Sequence, residues 1–176
     1  MKVIEAPMYY KIKHTEISVF LAGGICNCEQ WQTDVIKHLE RYPCNGLVVF
    51  NPRRKDFPIG VPSESAKQIE WEFNALEDAD IFSMYFASGV SDQPICMYEL
   101  GRNILNMQIR HPTDWKSRIV ISIEDGYKRK QDVIIQTGLA CGHDLFVQTD
   151  SDSASLRQNH AERIIKTYRK LVHKND

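Results

Sequence analysis

Short apolar runs alternate with amphipathic stretches from about residue 16 to the end of the chain. "EISVFLAGGI" is a run of β-forming residues ending in paired glycines, and "EQWQTDVIKHLERY" behind it spaces Trp31, Val35, Ile36 and Leu39 along one helical face. "NGLVVFNP", bounded by Asn-Gly and Asn-Pro, predicts a second buried strand parallel to the first. The polar stretch "RRKDFPIGVPSES" is longer than most connections and is a candidate binding loop. A helix over "AKQIEWEFNALEDA" follows, with Ser63 or Ser65 as N-cap and Ile69, Phe73 and Leu76 on one face. "DADIFSMYFA" predicts a third strand, and "ICMYELGRNILNM" a helix with Pro94 in its first position. "SRIVISIE" and "HDLFVQT" predict two more strands, separated by a helix over "QDVIIQTGLACG" that Gly142 ends, and "ASLRQNHAERIIKTYRKLVHK" a closing amphipathic helix. No regular element is predicted before residue 16.

This alternation predicts an α/β domain, a parallel sheet with helices on both faces. No repeat, low-complexity tract or linker divides residues 1–176, so one domain is expected. A hydrophobic share of 43% and a charged share of 26% are ordinary for such a domain, and a net charge of -1 supplies no pull toward a nucleic-acid polymer or an acidic membrane. The N-terminus has no apolar signal core and no run approaches the ~18 apolar residues of a membrane span, which predicts a cytoplasmic protein. Five cysteines without a C-x-x-C pair predict reduced thiols. Cys26, Cys28, Cys141 and His143 do not follow common zinc-ligand spacings, so no metal is expected.

In open parallel sheets ligands bind beyond the carboxyl ends of the strands. Three polar stretches should converge there: "AGGICNCEQ", "NPRRKDF" and "SGVSDQPICMYELG". Glu99 then falls in the opening turns of a helix whose N-terminus faces the ligand, where the helix dipole favours a charged carboxylate, competent as nucleophile or base. Asp80, Asp78 and Asp92 are candidate second carboxylates, because sugar-transfer chemistry uses two acids in different protonation states. The simpler readings are a Glu99 that only complements the dipole and an Asp92 that only caps the helix. Gly23 and Gly24 make a turn or admit close approach of a ligand, without matching G-x-G-x-x-G. Arg53 and Arg54 either grip a polar substrate group or stand as solvated loop charges.

Four segments, "VFLAGGI…WQ" (Val19 to Gln32), "NPRRKDF" (Asn51 to Phe57), "QIEWEFNALEDADI" (Gln68 to Ile81) and "QPICMYELG" (Gln93 to Gly101), occur in an order and spacing that resembles the nucleoside 2-deoxyribosyltransferase family. "EDGYKRKQDVIIQTG" resembles a later region of the branch with NPRR and Q-x-x-WE segments, and the resemblance spans roughly residues 17–148. It implies a flavodoxin-like three-layer sandwich with about five parallel strands. It also implies an enzyme that cleaves the N-glycosidic bond of a 2′-deoxyribonucleoside and passes the sugar to a free nucleobase, without metal or organic cofactor, as a homo-oligomer.

By the ELG match, Glu99 resembles the nucleophile that holds a covalent deoxyribosyl intermediate. Asp80 is similar to the acid near the base, and Asp92 falls one residue out of register with a second aspartate. Gly23 and Gly24 match the turn beside the sugar, and Asn51 and Arg53 the segment lining the pocket. Better-known members complete the site with a neighbour's aromatic C-terminus, whereas this chain ends "LVHKND", which leaves a partner's contribution open. Two alternatives stand beside the transferase. One is a nucleoside 5′-monophosphate N-glycosidase, with Ser88, Ser91 and the Gly23–Gly24 backbone as its phosphate subsite. The other is a non-catalytic nucleotide-binding module in which Glu99 only hydrogen-bonds a ribose hydroxyl.

Overall fold

Six strands form one all-parallel sheet in the computed structural model, which describes residues 1–58 and 60–175. Ile59, in the proline-containing loop, and Asp176 lie outside the described residues. The strands are β1 (Lys2–Glu5), β2 (Ile17–Gly23), β3 (Leu47–Asn51), β4 (Ile81–Phe86), β5 (Ile119–Glu124) and β6 (Val147–Asp150). The helices are α1 (Trp31–Leu39), α2 (Pro62–Asp78), α3 (Pro94–Arg110), α4 (Lys130–Cys141) and α5 (Ser153–Asn175). None of them is long and apolar enough to cross a membrane.

The sheet order is β1-β3-β2-β4-β5-β6, and without β1 it is the doubly wound order of a flavodoxin-like sandwich. The edge strand β1 is the addition to the expected five. Its four residues, Lys-Val-Ile-Glu, carry a charge at each end and bury only Ile4, so its place is set by parallel pairing with β3 rather than by its own apolar content.

Alternate residues of β2 serve the two faces. Val19 and Leu21 pack with Trp31, Val35 and Leu39 of α1 and with Leu156 and Ile164 of α5. Phe20 and Ala22 face Leu76 of α2, Leu100 and Ile104 of α3 and Val133 of α4. This period of two is the reason a strand buried on both sides reads as a continuous apolar run.

Two helix starts differ from expectation. α2 opens at Pro62, behind Val61, and takes Ser63 and Ser65 into its first turn, because proline's fixed φ and missing N–H suit that position better than an added cap. α3 opens at Pro94 as expected, but its N-cap is Gln93 in the left-handed region (φ 49°, ψ 53°), and Asp92 does not cap it. α2 is also rotated from the expected face. It buries Gln68, Ala75 and Leu76, while Ile69 and Phe73 are 65% and 51% exposed.

Candidate active site

β2 and β4 lie side by side, but β2 leads through α1 to one flank of the sheet and β4 through α3 to the other. Such a reversal opens a crevice at the carboxyl ends of the two strands. The crevice holds a cavity of about 270 Å³. Phe20 and Ala22 line its β2 side, and the segments after β2 and β4 supply Gly24 and Gln93. Glu72 of α2 and Glu99 of α3 complete it.

Glu99 is the sixth residue of α3, beyond the first turn in which the helix dipole acts strongly. Burial therefore prevails over the dipole. Its carboxyl is pushed up to about 7 by desolvation first and then by the neighbouring Glu72, with Arg102 opposing. This runs against the expectation that the helix dipole favours the charged carboxylate there. Burial also raises Glu72, against a hydrogen bond from the Gln68 amide that favours its ionised form. The charge on Glu72 thus adds to the proton affinity of Glu99, and the protonation of one acid depends on that of the other.

The family described as nucleoside 2-deoxyribosyltransferase like matches residues 16–110, more than half of the chain, ending with the last residue of α3. The chain belongs to this family. Every residue lining the cavity falls inside the matched segment. No curated protein matches the chain.

For this deoxyribosyltransferase-like chain, the structure gathers Glu99, Gly23, Gly24 and Ser91 of the expected site residues in the cavity and places the others elsewhere. Asp80 precedes β4 at the amino end of the sheet, where its carboxylate accepts hydrogen bonds from Ser18 N (2.8 Å) and Oγ (2.9 Å). Six residues of strand, about 20 Å, separate it from the carboxyl ends of the sheet. Asp92 is exposed, and its carbonyl accepts from the Tyr127 hydroxyl (2.8 Å). Asn51 is buried, and its Oδ1 accepts from Arg53 N (3.1 Å), while the next residue, Pro52, reaches the cavity. Among the described residues no three His, Cys, Asp or Glu side chains come together as metal ligands.

Arg53 does not line the cavity. Its guanidinium donates to Gln32 Oε1 (2.8 Å) and to the carbonyls of Ile25 (3.1 Å) and Glu29 (2.9 Å), clamping the loop after β2 from behind. Arg53→Ala is expected to lower stability by about 1–3 kcal/mol in thermal unfolding, and Arg53→Lys to recover less than half, because an ammonium cannot span these acceptors. A melting temperature unchanged in Arg53→Ala would return Arg53 to the substrate side.

The same loop explains both glycines. Gly23 has φ +150°, and a Cβ there would lie 2.2 Å from the Tyr85 carbonyl; at Gly24 it would lie 2.7 Å from the Gln93 amide. The wall after β4 is fixed by Glu124, a buried acid at the end of β5. It accepts from Ser88 N (2.7 Å), Ser88 Oγ (2.5 Å) and the Tyr85 hydroxyl (2.7 Å), and pairs with Arg157 (3.3 Å). Gln93 donates Nε2 to the Ala87 carbonyl (2.6 Å) and keeps a buried Oε1 without a partner. Glu72, Gln93 and Glu124 were not among the candidates read from the sequence. For Glu72 a signal existed, since it lies four residues after Gln68 and four before Leu76, on the stripe that α2 buries.

Proposed function

We propose that the chain transfers 2-deoxyribose between nucleobases by double displacement, with Glu99 as nucleophile and Glu72 as acid and base. The observation that carries this reading is the meeting of two mostly buried carboxyls, from two helices, in one cavity at the switch point of the sheet. With one proton on the pair, the reactive arrangement is the one that places the proton on Glu72 and the charge on Glu99; ionised Glu99 then attacks C1′ of a deoxyribonucleoside, the C1′–N bond breaks, its electron pair leaves with the base, and the proton on Glu72 passes to that base. The acceptor base then attacks C1′ of the glycosyl ester from the vacated face, loses its proton to Glu72 and frees Glu99, with net retention. Asp80, bound to Ser18 at the far end of the sheet, has no part in this scheme.

Unphosphorylated nucleosides are the proposed donors. Of the expected phosphate subsite, Ser91, Gly23 and Gly24 line the cavity, but Ser88 directs both its N–H and its O–H to Glu124, and no Lys, Arg or His is among the described residues lining the cavity. A phosphate beside two carboxyls would meet repulsion there without compensating charge. Self-association is supported by the outer layer of α2, α3 and α4, where Ile69, Phe73, Tyr98, Leu105, Ile109 and Leu139 are exposed. Among the described residues α1 and α5 expose no large apolar side chain, so the apolar surface is one-sided.

Incubation with deoxyinosine or thymidine, with and without adenine, tests the reading. Chromatography should show a new deoxyadenosine peak that requires adenine. Release of free base regardless of acceptor would make the protein a hydrolase, and no turnover of any nucleoside or its monophosphate would leave a binding module.

A further inference from the structure

The Q-x-x-W-E segment of α2 has contributed only its final glutamate to the mechanism above. Its glutamine is 9% exposed, and Nε2 donates to two acceptors at once: the Pro52 carbonyl (2.7 Å) and Oε1 of Glu72 (2.7 Å). Its own Oε1 is buried without a partner. An amide oxygen left unpaired in the interior costs free energy, and turning the amide over would put that oxygen against Pro52 instead. The Pro52 carbonyl can only accept, so it fixes which end of the Gln68 amide faces Glu72.

We propose that Gln68 is a positioning residue: its amide, oriented by the Pro52 carbonyl, keeps Oε1 of Glu72 an acceptor and confines the acid's proton to Oε2. This rests on Glu72 being the general acid. An N–H aimed at Oε1 favours that atom as the carbonyl oxygen and disfavours an O–H on it, so the transferable proton has one preferred location rather than two. Leaving-group protonation demands that, since a donor must lie within hydrogen-bond reach of the departing nitrogen. The contact also favours ionised Glu72, whereas burial disfavours it. The other titratable groups coupled to Glu72 are Glu99 and Cys96, both from α3. Both lack a positive charge, so Gln68 supplies the donor contact that partly offsets Glu72's burial.

The test is Gln68→Met, which keeps the side-chain length, removes both donors and suits a buried position. Glutamate carboxyls labelled with carbon-13 would be titrated by NMR in the parent and the variant. Turnover would be measured with deoxyadenosine and with a deoxyribosyl donor carrying 4-nitrophenolate, which departs without a proton. The Glu72 titration should move to higher pH. Turnover of deoxyadenosine should fall about 10- to 100-fold in kcat, with KM held within about 3-fold and the nitrophenolate donor nearly unaffected. A Glu72 titration that does not move, or equal losses on both donors, would overturn the positioning role, because a purely structural defect does not distinguish leaving groups. A parent protein inactive on both donors would instead sink the transferase reading, and the titration alone would then decide whether Gln68 governs the proton on Glu72.

Discussion

Glu99→Gln should lower kcat for base exchange by at least about 10³-fold and yet leave the protein more stable than the parent at pH 8. The loss follows from removing the atom that forms the bond to C1′, since an amide oxygen is no substitute for a carboxylate. The gain follows from burial, which lifts the Glu99 carboxyl to about 7, above its ordinary value of 4.5. Between those two values the folded protein holds a proton that the unfolded chain releases, so stability falls as pH rises through that window. At pH 8 the ionised carboxylate costs about 3 kcal/mol at most, and glutamine removes that cost. Near pH 4.5 both forms are neutral there, and the difference should vanish. Thermal unfolding at pH 4.5, 6 and 8 checks this, together with the exchange assay. Equal stability at all three values would mean that Glu99 is not desolvated, and retained turnover would remove it as nucleophile.

That cost bears on what was legible in the sequence. From β2 to α5 the order of strands and α-helices is readable, because strands and helices carry different hydrophobic periods. The glycine turn and Glu99 could be placed by the rule that ligands sit beyond the carboxyl ends of the strands. β1 escaped because its pairing with β3 leaves almost no local signature. α2 departs for a different reason: its apolar residues predict that Ile69 and Phe73 face inward, whereas the protein buries Gln68, turns Glu72 to the cavity and leaves those two exposed. Local pattern and global structure conflict there, at the place where chemistry needs a buried acid. Asp80 was drawn in by its position in the "DAD" run, but an acid at the start of a strand lies at the wrong end of the sheet to meet Glu99.

Glu72→Gln separates the two carboxyls by function. The variant keeps the nucleophile and the hydrogen-bonding shape of the side chain but has no proton to deliver to the departing base. Turnover of deoxyadenosine should fall by roughly 10²- to 10⁴-fold, the usual contribution of a positioned general acid. A donor whose leaving group departs as an anion should be affected far less. The alkaline limb of the kcat profile, where the parent loses the proton from its acid, should disappear with it. Glu99 should then ionise below about 7, because the neighbouring carboxylate that raises it has gone. The last two effects tie the acid to the nucleophile and not merely to the fold. Equal losses for both leaving groups, with Glu99 titrating as in the parent, would show that Glu72 neither protonates the base nor raises Glu99.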